Sequence, residues 1–196
     1  MSPVLIGILA AAVLVVLWAV SIYNRLVRLR VQGEESWRDI DTQLKRRWDL
    51  IPNLVETVKG YAEHERETLE AVVNARAKAT QVTAELTPEA MNDPQALQKF
   101  QAAQGELSSA LGRLMVVMER YPDLKANQGF LDLQAQLEGT ENRITVERRR
   151  FNELAQGYNT TIRKFPMAML AGMFGFEKKA YFEAAEGAQN APQVKF

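Results

Sequence analysis

The sequence predicts an all-α protein. An N-terminal transmembrane helix leads into a long, kinked helix of an antiparallel up-and-down bundle, with three long helices and a short C-terminal helix in all. Three observations carry this. Residues 1–24 hold no charged side chain. Downstream, apolar residues recur at steps of three and four, the spacing of a helix with one buried face. No stretch alternates with period two, so no sheet is expected. One alternative stays open: a chain reversal at Pro52 would make a four-helix bundle. The domains follow as an anchor over 1–24, the bundle over 25–166 and an apolar C-terminal segment and tail over 167–196.

The anchor, "PVLIGILAAAVLVVLWAVSIY", supplies about 20 apolar positions, enough to cross a hydrocarbon core of roughly 30 Å. A cleaved signal peptide would place basic residues before the apolar run and a small-residue cleavage site after it. Here the order is reversed: Arg25, Arg28 and Arg30 follow the run, with Trp18 and Tyr23 as interfacial aromatics. The bias of basic residues toward the cytoplasmic side puts the amino terminus outside and the bundle in the cytoplasm. A bundle facing the periplasm is the alternative.

Three apolar stripes define the bundle. The first comprises Trp37, Ile40, Leu44, Trp48, Ile51, Val55 and Val58. A second runs Leu97, Phe100, Leu107, Leu111, Leu114, Met118 and Tyr121, interrupted by Gln104. A third runs Phe130, Leu133, Leu137, Ile144, Phe151, Leu154, Tyr158, Ile162 and Phe165. Between them, Thr87–Pro88 and Asp93–Pro94 each pair a capping residue with proline at a first helical position. Pro122, Asn127 and Gly129 mark a second turn, and Pro166 ends the third helix.

Pro52 interrupts the first stripe. Asp49 could cap a helix restarting there, since a proline in the first turn removes no bond. Yet Leu50, Ile51 and Leu54 are poor loop material, and the apolar phase continues across the proline, which favours a kink over a hairpin. Residues 25–83 would then span about 90 Å, against about 40 Å for 94–121 and about 55 Å for 130–165. On that arithmetic Trp37, Ile40, Leu44 and Trp48 outrun their partners as an exposed stripe, which marks an oligomer or partner surface.

Composition excludes several chemistries. With 24 basic and 24 acidic residues the chain has no net field to recruit nucleic acid, and without cysteine it has no thiolate ligand or nucleophile. The lone histidine, His64 in "YAEHERE", reads as a solvated surface residue, because a catalytic base needs a partner and a pocket. Glu138, Glu141, Arg148 and Asn152 lie on or beside the third stripe and read as buried polar groups that set helix register. Metal binding between facing helices would call for Glu-x-x-His pairs, which are absent. No cofactor, metal or catalytic residue is assigned, and an enzyme is not expected. In the tail, Met167, Met169, Leu170, Met173, Phe174 and Phe176 form an apolar patch. It either caps the bundle or meets the bilayer interface or a partner.

The blocks "YNRLVRLR", "ESWRDIDTQLKRRWDLIPNLVETVKGYAEHE", "NARAKA", "YPDLKANQGFLDLQAQLEGTENRITVERRRFNE", "YNTTIRKFP" and "FGFEKKAYFEA" together resemble the LemA family across nearly the whole chain. The resemblance implies a bacterial single-pass membrane protein with a cytoplasmic helical bundle. It brings no catalytic residues with it, and such proteins are often encoded near membrane metallopeptidases. The expected role is a membrane-anchored scaffold or adaptor, self-assembling at the bilayer as a homo-oligomer and open to a membrane-protein partner. The alternative is a regulatory subunit of a membrane enzyme or signalling system.

Overall fold

Two breaks compete in the first half of the chain, and the helix passes through one and stops at the other. In the computed structural model, which describes residues 2–87 and 89–183, helix α1 runs from Pro3 to Lys59 with Pro52 inside it. A proline at 52 has no amide hydrogen for the carbonyl four residues back. That carbonyl belongs to Trp48, and the Nε of Arg76 donates to it at 2.9 Å. An arginine from the neighbouring helix thus takes the place of the missing backbone donor, and a helix defect becomes an interhelical tie.

The true break is at Gly60. After it the chain turns through a short 3₁₀ segment, Glu63–Glu65, and returns as α2, Arg66–Ala84. The expectation of one helix over residues 25–83 is corrected here. The chain does not reverse at Pro52, yet the bundle has four helices, because the stretch divides at 60–65. Glycine is a poor helix former, and Gly60 was the available signal, hidden by the polar, helix-compatible sequence that follows it.

The later turns follow local chemistry. Thr87 Oγ1 accepts from the Ala90 amide; Pro88 lies outside the described residues. Asp93 caps α3, Pro94–Met118, with Pro94 in its first turn, and accepts from the Gln95 amide at 2.9 Å. After the single turn α4, Pro122–Lys125, Asn127 caps α5, Gln128–Arg163, through the Phe130 amide at 3.0 Å. Helix α6, Met167–Met173, follows. Gly175 then adopts φ +67°, a left-handed conformation open to glycine at no steric cost, and the chain runs on without regular secondary structure to residue 183. The remainder of the tail lies outside the described residues.

Helices α1, α2, α3 and α5 form an up-down-up-down bundle in which α1 pairs most extensively with α5 and α2 with α3. Trp37, Ile40, Leu44 and Trp48 are buried in its core together with Phe100, Leu107, Leu114, Ile144 and Phe151. The exposed stripe expected for these four residues is therefore wrong. From Ile22 to its end α1 is about 57 Å long and α5 about 54 Å, so α5 covers it almost end to end. At Trp37 two further rings close the gap, Phe100 at 5.4 Å and Phe182 at 6.3 Å between centroids.

Toward the membrane the α2–α3 hairpin ends, and among the described residues a second core buries Ile22 and Leu26 of α1, Tyr158 and Ile162 of α5, Ala171 of α6, and Phe176. We call this part the neck.

Candidate functional site

The polar side chains of the bundle meet in two places, one in the body and one in the neck. In the body, Arg47 is buried on the inner face of α1. Its guanidinium reaches Glu141 of α5 at 3.2 Å and Ser108 of α3 at 2.9 Å, with Gln104 at 3.5 Å. Gln104, also buried, donates to Thr83 of α2. One network thus touches all four helices. A buried charge needs this degree of pairing, because desolvation otherwise outweighs attraction. Burial holds the Arg47 guanidinium below its usual range, and Glu141 partly offsets the effect. Arg148 is lowered the same way, first by burial, with Glu141 opposing and Arg47 adding to the shift. Its guanidinium lies 5.3 Å from the Phe182 ring and 5.7 Å from that of Phe100, positions where the ring faces attract a cation.

The four residues assigned to helix register therefore separate. Glu141 and Arg148 do lie between helices. Glu138 does not: it is exposed and accepts only from Gln134, on its own helix, among the bonds described. The spacing argument placed it too near the stripe's edge. Arg47 was missed because it sits in the basic run "KRRWD". Its position was legible even so, three residues after Leu44 and seven after Ile40, on the buried face of α1.

Asn152 has a different task. Its Nδ2 donates to the Phe182 carbonyl and its Oδ1 accepts from the Phe182 amide, both at 2.8 Å. Asn159 does the same for Lys179, at 2.8 and 2.9 Å. Seven helical residues advance about 10.5 Å, and three extended residues advance about 10 Å. The two asparagines are thus spaced to grip a strap laid straight along α5. Each offers the donor and acceptor that a neighbouring strand would supply.

The strap also explains Gly33 and Arg30 on α1. A Cβ at position 33 would come within 2.9 Å of the Lys179 Cε, so glycine lets the buried lysine stem cross the helix. Burial pushes the Lys179 ammonium down, Glu34 raises it and Arg30 lowers it. Arg30 is not a free headgroup ligand. It donates to the Gly175 carbonyl at 3.5 Å and stacks 4.3 Å from the Phe176 centroid. Arg25 and Arg28 remain exposed, as do Trp18 and Tyr23, and Tyr23 meets Phe174 edge-on at 5.0 Å.

The apolar tail patch divides in two. Phe176 is buried and Met167 and Leu170 pack beside it, whereas Met169, Met173 and Phe174 face outward. Phe165, placed on the third buried stripe by its spacing, is also exposed, since α5 ends at Arg163 and its face no longer applies. His64 is exposed in the turn after Gly60. Among the described residues there is no group of three or more His, Asp or Glu side chains placed to hold a metal. One helix among the described residues, α1, is long and apolar enough to cross a membrane.

A family model described as the LemA family matches residues 36–196. The magnetosome protein MamQ of Magnetospirillum gryphiswaldense is 26% identical over 174 residues, covering 82% of this chain and 64% of that protein. Magnetosome protein MamQ 2 of Paramagnetospirillum magneticum is 37% identical over 81 residues, 41% of this chain and 30% of that protein. Protein LemA of Metamycoplasma hominis is 26% identical over 163 residues, 83% of this chain and 69% of that protein. The chain spans less than two thirds of the length of the MamQ relatives it matches.

Proposed function

The chain belongs to the LemA family, and from that premise we propose that it is a membrane-anchored scaffold or adaptor whose bundle is presented in one orientation to a protein partner in the same membrane. The observation that carries this reading is the continuity of α1. One helix of 57 residues contains both the apolar span and the central strut of the bundle. At its one interior proline, a helix defect that ordinarily kinks or breaks the chain, a side chain from α2 replaces the lost bond. No linker separates anchor from body, so the bundle cannot reorient without breaking the neck.

Arg25, Arg28 and Arg30 after the span support a bundle on the cytoplasmic side. Protease added to intact spheroplasts is expected to spare it, and cleavage in sealed cells would put it in the periplasm. Self-assembly has lost the surface that first suggested it, because Trp37, Ile40, Leu44 and Trp48 lie inside the monomer. Crosslinking in native membranes followed by mass spectrometry tests the adaptor role, with a stoichiometric membrane-protein partner expected. Recovery of the chain alone, or of a tightly held metal at one per chain, would overturn it.

A further inference from the structure

The membrane-proximal end of the neck carries a cluster of large apolar side chains that nothing in the bundle covers. Phe165 is 82% exposed, Met173 76%, Met169 64% and Phe174 48%. Elsewhere on the described body, exposed large apolar residues such as Val73, Val116 and Val146 sit on different helices, and single exposed apolar residues are ordinary for a protein surface. These four are gathered at the α5–α6 corner.

The depth of that corner follows from what it touches. Phe174 and Phe176 pack on Tyr23, at centroid distances of 5.0 and 5.9 Å, and Tyr23 is the last aromatic of the apolar span. Helix α5 runs toward the membrane, and its Ile162 shares a core with Ile22. Phe165 follows two residues after the end of that helix. The corner therefore sits at the level where the span leaves the hydrocarbon.

Charge segregates with it. Residues 1–33 and 155–182 together contain seven basic side chains, Arg25, Arg28, Arg30, Arg163, Lys164, Lys178 and Lys179, and one acid, Glu177. Removing them from totals of 24 and 24 leaves 17 basic against 23 acidic residues in the rest of the chain. Arg163, Lys164 and Lys178 are exposed beside the apolar corner, and Arg25 and Arg28 are exposed just below the span. An apolar knob ringed by cations at this height matches the boundary of an anionic bilayer, where buried apolar area and charge act together.

We propose that the α5–α6 corner is a second membrane contact: Phe165, Met169, Met173 and Phe174 enter the headgroup boundary of an anionic bilayer, and the surrounding cations hold its lipid phosphates. Anchor and corner then fix the tilt of the bundle through two contacts rather than one. The proposal rests on the span and not on the adaptor role, and each can fail without the other.

The chain has no native cysteine, so single cysteines carry unique spin labels. Full-length protein labelled at Met169, at Met173 or, as the control, at Val116 is reconstituted in nanodiscs of phosphatidylethanolamine and phosphatidylglycerol. Collision with oxygen is then compared with collision with a water-soluble nickel chelate. Labels at 169 and 173 are expected to favour oxygen, and the label at 116 the chelate. Chelate access at 169 and 173 equal to that at 116 would overturn the proposal. Protection from both reagents would overturn it too, by showing protein rather than lipid over the corner. Reversing the charge of Arg163 and Lys164 to glutamate is expected to lower the oxygen preference at 169, with the 116 label unchanged as a check on folding. An unaltered preference would remove the cations from the proposal.

Discussion

The body and the neck share α1 and α5 but complete their cores by different means. In the body, four helices surround a continuous apolar interior, and the polar residues inside it answer one another across helices, as Arg47 does with Glu141 and Ser108. In the neck α1 and α5 continue with the short α6 beside them, and the core described there has six buried residues. An extended strap leaves this core at Phe176 and carries Ala180 and Phe182 into the body core, held through asparagine side chains as if against a strand. Apolar area removed from water contributes roughly 25 cal/mol per Å², so the body should resist opening more than the neck. The difference teaches that a small core can be tied to a larger one by chain that is neither helix nor sheet, provided its backbone groups are paired.

Truncation in the body gives the largest expected effect. Trp37→Ala removes a ring packed on Phe100 and Phe182 and is expected to destabilise the whole bundle by about 3–5 kcal/mol. Thermal unfolding measures this, with the oligomeric state unchanged. A dissociating oligomer around an intact bundle would instead restore the exposed-stripe reading.

Releasing the strap should be smaller and local. Asn152→Leu leaves the Phe182 amide and carbonyl without partners, at about 1–3 kcal/mol for each buried group left unsatisfied. Hydrogen exchange is expected to lose protection across residues 179–182 and to keep it in α2 and α3. Uniform loss across the chain would make strap and body one cooperative unit.

The tie at Pro52 sharpens the comparison from the body side. Arg76→Met orphans the Trp48 carbonyl and is expected to cost about 1–3 kcal/mol. In a Pro52→Ala background the new amide supplies that bond, so the same substitution should cost less. A double-mutant cycle by chemical denaturation reads the coupling, and simple additivity would mean that Arg76 does not serve the carbonyl.

The smallest effect is electrostatic. The Lys179 pKa is lowered from its ordinary 10.5 by burial, so the docked strap binds fewer protons than a released one. Its docking is therefore weakest where both forms are charged, and it strengthens as pH rises through the lowered value toward 10.5. A spin label at Glu183 should become less mobile as pH rises toward 10.5, and Lys179→Met should flatten the trend.

Much of this molecule could be read without its coordinates. The span, the helical class, the Asp93 and Asn127 caps and most buried positions of the three stripes depend on local period and local capping, which act within a few residues. Gln104 could be placed on a buried face for the same reason, although its partner on α2 could not be named. Three features depended on which distant segments came together. Pro52 acquired its sense from Arg76, 24 residues later in the chain. Gly33 acquired its sense from Lys179, and the burial of Trp37 came in part from Phe182. In each case the deciding atom belongs to an element whose position no local pattern encodes. Helix length showed how far α1 reached, but not that α5 would match it from Ile22 onward or that a strap would seal the remaining side. Packing chose those partners, because apolar area left open on α1 could be removed from water in the same chain.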